Sequence, residues 1–153
     1  MAALRSYTLV ALQIALIAVL ALPWRIAGWN TGGSALVAIG IALGLWALTA
    51  NRPGNFNIRP EPRAGGHLVT DGPYRFVRHP MYLAVLIVAA GCALGYADIA
   101  AWRREDLVRA ALWLTLAVVL HVKAGIEERE LRAVYPQYAD YARRAKRLVP
   151  FVF

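Results

Sequence analysis

The chain has 153 residues, 59% of them hydrophobic, with a formal net charge of +8 and one cysteine, Cys92. The length suits one domain, a lone cysteine allows no intramolecular disulfide, and apolar residues gathered into long blocks exclude a soluble domain with short periodic stripes. A basic surplus also fits nucleic-acid binding, but the order of the elements assigns the charge to one side of a membrane instead.

No charged residue occurs from Ser6 to Trp24, from Ile26 to Asn51 or from Pro80 to Ala97. A crossing of about 30 Å of hydrocarbon needs roughly 20 predominantly apolar residues, which these blocks meet or approach. Arg5 ahead of the first block also resembles a signal peptide, but the further blocks favour a membrane helix. The fourth block, Ala110 to Val122, is short, and Arg109 and Lys123 flank it where they can extend to the two interfaces. The fold expected is an all-α integral membrane protein with about four transmembrane helices and a cytoplasmic C-terminal helical extension. Residues 1–50 form an N-terminal transmembrane hairpin, and 51–153 form the rest.

Four spans put the N-terminus, the loop 51–79 and the tail on one side. That side carries Arg5, the loop arginines Arg52, Arg59, Arg63, Arg75 and Arg78, and the tail residues Lys123, Arg129, Arg132, Arg143, Arg144, Lys146 and Arg147. The other holds Arg25, Arg103, Arg104 and Arg109. The positive-inside rule places the first side in the cytoplasm, and "RRAKR" suits anionic lipid headgroups. Membrane lipids rather than nucleic acid are the expected partners.

In chain order, the first hairpin turns through "PWRIAGWNTGGS", with Trp24 and Trp29 at interface depth. Gly40 and Gly44, then Gly91 and Gly95, have the small-xxx-small spacing of close helix packing. The loop from Asn51 to Arg78 is rich in Pro, Gly and Asn and should be irregular; loops of this length are often functional. "HVKAGIEERELRAVY" keeps helical periodicity beyond the membrane, so the fourth helix continues as a rod. "YPQYADYARR" then predicts a turn at Pro136 and a short helix with Tyr138 and Tyr141. The apolar end "LVPFVF" should dock back.

Two polar clusters meet on one face, "GPYRFVRHPMY" and "EERELR". Pro80 fits the first turn of a helix, so His79 falls at its N-cap, beside unpaired backbone N–H groups that favour a carboxylate or phosphate. Arg78 adds a forked cation, and Tyr74 and Tyr82 offer flat faces. A plain helix start with topogenic arginines accounts for the same residues. Glu127 and Glu128 either pair with Lys123 and Arg132 at helical spacing, or use one carboxylate for a ligand and the other to orient an arginine. His121 lies near the membrane boundary. His67, His79 and His121 lack metal-ligand spacing, so no metal site is expected.

"LVTDGPYRFVRHPMYL" followed by "EERELRAVYPQYADYARRAKRLVP" resembles the C-terminal half of the isoprenylcysteine carboxyl methyltransferase and phospholipid methyltransferase superfamily. The resemblance covers residues 67–150. It falls on Gly72, Pro73, Tyr74, Arg78, His79, Pro80 and Tyr82, then on Glu127, Glu128, Leu131, Tyr135, Tyr138, Tyr141, Arg147 and Pro150. Pro136 and Ala145 depart from the pattern, at a glycine and a β-branched position of the tail. The resemblance implies an S-adenosylmethionine-dependent membrane methyltransferase, with residues 51–153 as its core. It further implies cofactor contacts at Val69, Gly72, Tyr74, Arg78, His79, Pro80, Tyr82, Glu127 and Glu128, and a lipophilic or prenylated acceptor. For a carboxylate acceptor, Glu128 and Arg132 are the expected catalytic pair; for an amine, Glu127 or His121 would serve as base. A sterol-reductase-like NADPH pocket and a non-enzymatic scaffold are the competing readings.

Overall fold

The computed structural model of the chain describes residues 2–23, 28–51, 67–97 and 103–149. Expectations for Trp24 and Arg25, for the loop over 52–66 and for the apolar end from Pro150 lie outside the described residues. The described part is all-helical, with five α-helices and one 3-10 turn: α1 Ala2–Ala21, α2 Thr31–Ala50, the turn Gly72–Arg75, α3 Pro80–Leu94, α4 Arg104–Val134 and α5 Tyr138–Arg144. Two helices, α2 and α4, are long and apolar enough to cross a membrane, whereas Ser6–Ala21 and Pro80–Leu94 are shorter apolar stretches.

The fourth helix is longer than its uncharged block. It begins at Arg104, where the Asp106 carboxylate accepts from the Arg103 backbone N–H at 3.0 Å and caps the start. It then runs unbroken for 31 residues, about 46 Å at 1.5 Å per residue. The helical continuation expected past Val122, the break at Pro136 and the short helix with Tyr138 and Tyr141 are all present.

Helices α2 and α3 pack backbone to backbone. A Cβ on Gly40 would lie 2.6 Å from a Val88 methyl, and one on Gly91 would lie 2.8 Å from the Gly33 carbonyl oxygen. Gly33, absent from the expected pairs, belongs to the same seam, while Gly44 has only ordinary contact with Ala84, at 3.6 Å. Asn30 locks the end of the seam. Its side chain accepts from Gly33 N at 2.8 Å and donates to the Leu94 carbonyl at 2.8 Å, and its backbone N–H bonds Gly95 O at 2.7 Å. Helices α1, α3 and α4 share an apolar core of Leu16, Leu20, Leu86, Ala89, Leu116, Val119 and Leu120. Ile14, Ile39, Leu45, Leu114 and Val118 point outward, each more than half exposed, as residues facing lipid would be.

The two basic residues expected to reach the interfaces turn inward instead, with Arg109 1% and Lys123 2% exposed. Arg109 donates to Leu20 O at 2.8 Å, to Leu22 O and Ala93 O at 3.3 Å each, and to Cys92 O. The last carbonyls of α1 and α3 lack intrahelical donors and carry the negative end of the helix dipole, so a forked cation satisfies both ends at once. Lys123 is drawn in by Gln13 and by the ring of Tyr82.

The seam predicts a sharp contrast. Gly91→Ala should destabilise the protein by about 1–3 kcal/mol through overpacking, while Gly44→Ala should be neutral or slightly stabilising. Thermal unfolding in detergent checks this, and equal shifts would refute the close α2–α3 approach.

Candidate functional site at the helix ends

The segment before α3 is shaped by its glycine and prolines. Gly72 has φ +57°, a left-handed conformation that favours glycine, and a Cβ there would lie 2.8 Å from Ala50 Cβ and 3.3 Å from Trp46 Nε1. The turn therefore lodges on the end of α2, with Pro73 buried beneath it. Pro80 opens α3 with His79 as N-cap, as its position in the sequence suggests.

Beyond α5 the chain turns back and lies along this segment. Val77 and Lys146 form a parallel β-bridge: Arg78 N–H donates to Lys146 O at 2.7 Å, Lys146 N–H to Phe76 O at 3.0 Å and His79 N–H to Arg147 O at 3.2 Å. Tyr141 donates its hydroxyl to Tyr74 O at 2.8 Å, and Arg78 donates to the Ala142 and Ala145 carbonyls. Tyr138, Tyr141 and Ala145 form a second small core with Leu68, Leu131 and Tyr135.

These contacts converge on Glu128, whose side chain is 3% exposed. Arg78 Nε donates to it at 3.0 Å, Arg147 grips both oxygens at 3.0 and 2.9 Å, and His79 Nε2 lies 3.3 Å away. Burial alone would raise this carboxyl, but the hydrogen bonds from His79, Arg147 and Arg78 overcome it and hold the group well below the ordinary carboxylate range. That contribution to stability is present above the unfolded carboxylate value and is lost only as pH falls through the depressed folded one. His79 moves the other way: burial lowers it, yet its contacts with Glu127 and Glu128 prevail and raise it.

Glu127, the next residue round the helix, faces a different partner set. The Tyr82 hydroxyl donates to its Oε2 at 2.9 Å and His79 Nδ1 lies 3.5 Å from the same oxygen, while Oε1 has no hydrogen-bond partner among the described residues. Tyr82 stacks flat on His79, with ring centroids 5.3 Å apart. A groove of about 400 Å³ opens beside Glu128, lined by His121, Gly125, Ile126, Arg132 and Arg147 among others. Tyr138 Oη is buried without a hydrogen-bond partner among the described residues, and burial holds its hydroxyl well above the usual tyrosine value.

Of the residues named from sequence, Arg78, His79, Pro80, Tyr82, Glu127 and Glu128 come together. Gly72 and Tyr74 form the turn that carries them, and Val69 lies partly buried in the stretch leading into it. Arg132 stands apart, 58% exposed and 3.9 Å from Glu128, and its guanidinium lies over the Tyr138 ring. The bidentate partner of Glu128 is Arg147, a residue that sequence reasoning assigned to the basic tail and the closing family arginine but not to the site. His121 is exposed and 3.3 Å from Arg147. The signal for Arg147 was its place in the family pattern; spacing along the chain gives none, because the tail has to fold back first.

The described fold is all-helical, with two helices long and apolar enough to cross a membrane and a buried carboxylate–arginine–histidine centre at one end of its bundle. The sequence pattern of the phospholipid methyltransferase family matches residues 29–138, and the chain belongs to that family. It is 34% identical over 88 residues to the cobalt-zinc-cadmium resistance protein CzcN of Cupriavidus metallidurans. To the nickel-cobalt-cadmium resistance protein NccN of Alcaligenes xylosoxydans xylosoxydans it is 30% identical over 88 residues. Each alignment covers 58% of this chain but only 38% of the relative, so the chain spans well under half the length of the curated relatives it matches. Among the described residues no group of three or more His, Cys, Asp or Glu is placed to hold a metal ion.

The unequal arginines are separable by mutation. Arg147→Ala should cost about 2–3 kcal/mol by leaving a buried carboxylate short of charged donors, and Arg132→Ala less than about 0.5 kcal/mol; chemical or thermal unfolding reads both. His79 gives a pH signature of known sign. Because its folded value is raised, its contribution is full below the ordinary histidine value of about 6.5 and is lost as pH climbs through the folded one. The stability advantage of wild type over His79→Gln should therefore shrink from neutral to alkaline pH, and a constant difference would contradict a protonated His79.

Proposed function

We propose that the chain is an integral membrane methyltransferase that uses S-adenosylmethionine and acts on a lipophilic acceptor. Carboxyl O-methylation of an isoprenylcysteine-like group is the reaction that fits best. The reading is carried by one observation: in a chain of this family, the Arg78-His79-Pro80 entry to α3 meets the Glu127-Glu128 pair of α4. In this proposal the two shorter apolar helices complete four crossings, and the basic side, with both termini and the site, faces the cytoplasm.

The residues fit such a cofactor. A groove of about 400 Å³ is of ligand size. Its arginine edge and the N-terminus of α3 suit the cofactor's carboxylate. The unfilled Oε1 of Glu127 suits its ammonium or ribose hydroxyls, and the unpartnered Tyr138 hydroxyl offers a further polar contact. The bound cofactor supplies an electrophilic methyl group on its sulfonium. The chain's own task is positional: Glu128 holds Arg78, His79 and Arg147 in fixed orientation, and fixed donors align the reactants. A carboxylate acceptor is already ionised near neutral pH and needs no base. A second reading, methylation of a phospholipid amine, is favoured by the description of the family; it requires proton removal, for which Glu127 is the better placed carboxylate because Glu128 is saturated with donors.

Purified full-length protein in nanodiscs should bind S-adenosylmethionine by calorimetry and not NADPH. Glu127→Gln and His79→Ala should each weaken binding by about tenfold or more, the loss of one charge-assisted contact. Wild-type affinity in both variants would overturn the site, and NADPH binding in its place would favour the reductase-like reading. Labelled-methyl transfer to prenylcysteine analogues and to phosphatidylethanolamine separates the two acceptor classes.

A further inference from the structure

Lys123 is a charged group for which the site described so far has no use. It is 2% exposed and lies one helical turn before Glu127, deeper along the bundle. Among the described residues it bonds the Gln13 side-chain oxygen, 2.5 Å away, lies 5.3 Å from the centroid of the Tyr82 ring, and feels the Glu127 carboxylate by charge attraction without a hydrogen bond to it. An ammonium carries three N–H donors, so donors remain without an oxygen acceptor. A buried cation in that state is costly, and ionisable side chains at membrane depth mark ligand or ion sites.

An apolar groove of about 250 Å³ lies between α1, α2 and α3, lined by Ile17, Leu20, Gly40, Met81, Val85 and Cys92 among others. Ile17 is one turn beyond Gln13 on α1, and Val85 is one turn beyond Tyr82 on α3. The groove therefore leads away from the ammonium along the same helix faces. A cation whose two contacts each sit one helical turn from a hydrocarbon slot matches an amphiphile with an anionic head.

We infer that Lys123, steadied by Gln13 and the Tyr82 ring, receives the anionic head of the acceptor lipid while the groove takes its hydrocarbon chain. The inference rests on the methyltransferase reading of the neighbouring site. Tyr82 joins the two, since its ring faces Lys123 on one contact and stacks on His79 in another, and its hydroxyl bonds Glu127. An anion held at Lys123 thus sits beside the residues proposed for the cofactor. Lys123 is a specificity residue in this scheme: it selects acceptors that carry a negative charge at the membrane boundary. The anion is a carboxylate that itself accepts the methyl, or a phosphate that anchors the lipid.

The test uses the full chain in nanodiscs, a fluorescent polyene fatty acid and its methyl ester, at a pH that ionises the acid. Wild type should bind the acid about tenfold or more tightly than the ester, the gain expected of a charge-assisted contact in a dry site. Lys123→Met should abolish that preference with S-adenosylmethionine affinity unchanged, and Lys123→Arg should retain part of it. Displacement of the probe by phosphatidic acid in preference to unlabelled fatty acid assigns the phosphate; the reverse assigns the carboxylate. Equal binding of acid and ester to wild type overturns the inference, as does a Lys123→Met variant that loses both probes alike, the mark of a purely structural tie between α1 and α4. Acid preference without any S-adenosylmethionine binding would leave the anion site standing and sink the methyltransferase reading, so the two failures are distinguishable.

Discussion

A single carboxylate organises the functional end of this protein. Glu128 is removed from water, and it persists there in ionised form only because Arg78, Arg147 and His79 surround it. Those cations arrive from two separate pieces of chain: the entry to α3 supplies two, and the returned tail supplies the third. A buried ion with partial compensation is among the most unfavourable arrangements a fold can hold. The α4 rod, the turn before α3 and the tail are therefore coupled: none reaches its place without the others. The backbone pairing between residues 76–79 and 146–147 fixes the register in which this happens. Side-chain electrostatics and main-chain hydrogen bonds specify the same geometry, and such agreement between levels is what selects one arrangement.

The opposite end of the bundle solves a related problem with neutral acceptors. Arg109 there is surrounded by carbonyls from the last turns of α1 and α3 and contacts the Tyr96 ring. In both places a guanidinium replaces water for polar groups that a hydrocarbon surrounding cannot solvate. The apolar seam between α2 and α3 needs no such device, because glycines let the backbones meet directly. The helices are thus joined by two different means, and the charged one is confined to the ends.

The legibility of the sequence follows this division. The continuation of α4, the break at Pro136 and the N-cap position of His79 depend on local pattern, and each is present as read; of the four apolar blocks, two give helices long enough to cross a membrane. The glycine seam was half legible: Gly40, Gly91 and Gly95 take part, Gly44 does not, and Gly33 was invisible because spacing alone does not say which face a glycine occupies. What failed were inferences about where long cations point. Arg109 and Lys123 flank an apolar block and by that rule should reach outward, yet both find acceptors on neighbouring helices that only the packed bundle supplies. Arg132 sits at ideal helical spacing from Glu128, and Arg147 does not, yet Arg147 makes the closer and better oriented pair. Contacts closed by a returning chain are not encoded in spacing.

Two adjacent glutamates consequently have separate duties. Consecutive helical residues point about 100° apart, so Glu127 and Glu128 cannot face the same neighbours. Glu128 turns toward Arg78 and the tail's Arg147 and is consumed by them; Glu127 turns toward Tyr82, keeps an oxygen without a hydrogen-bond partner among the described residues and is 31% exposed. A carboxylate that already accepts from three cationic groups has little capacity for a ligand, whereas its neighbour has an oxygen to offer one. His79 touches the two of them through opposite ring nitrogens, so its orientation is set by Glu128 while its other face is offered to Glu127. Any ligand that engages Glu127 therefore meets a histidine and a tyrosine already locked in position by a carboxylate it never contacts. Preorganisation of that kind reduces the ordering needed on binding, and it explains why a site built at the ends of slender helices requires so dense a knot of charge behind it.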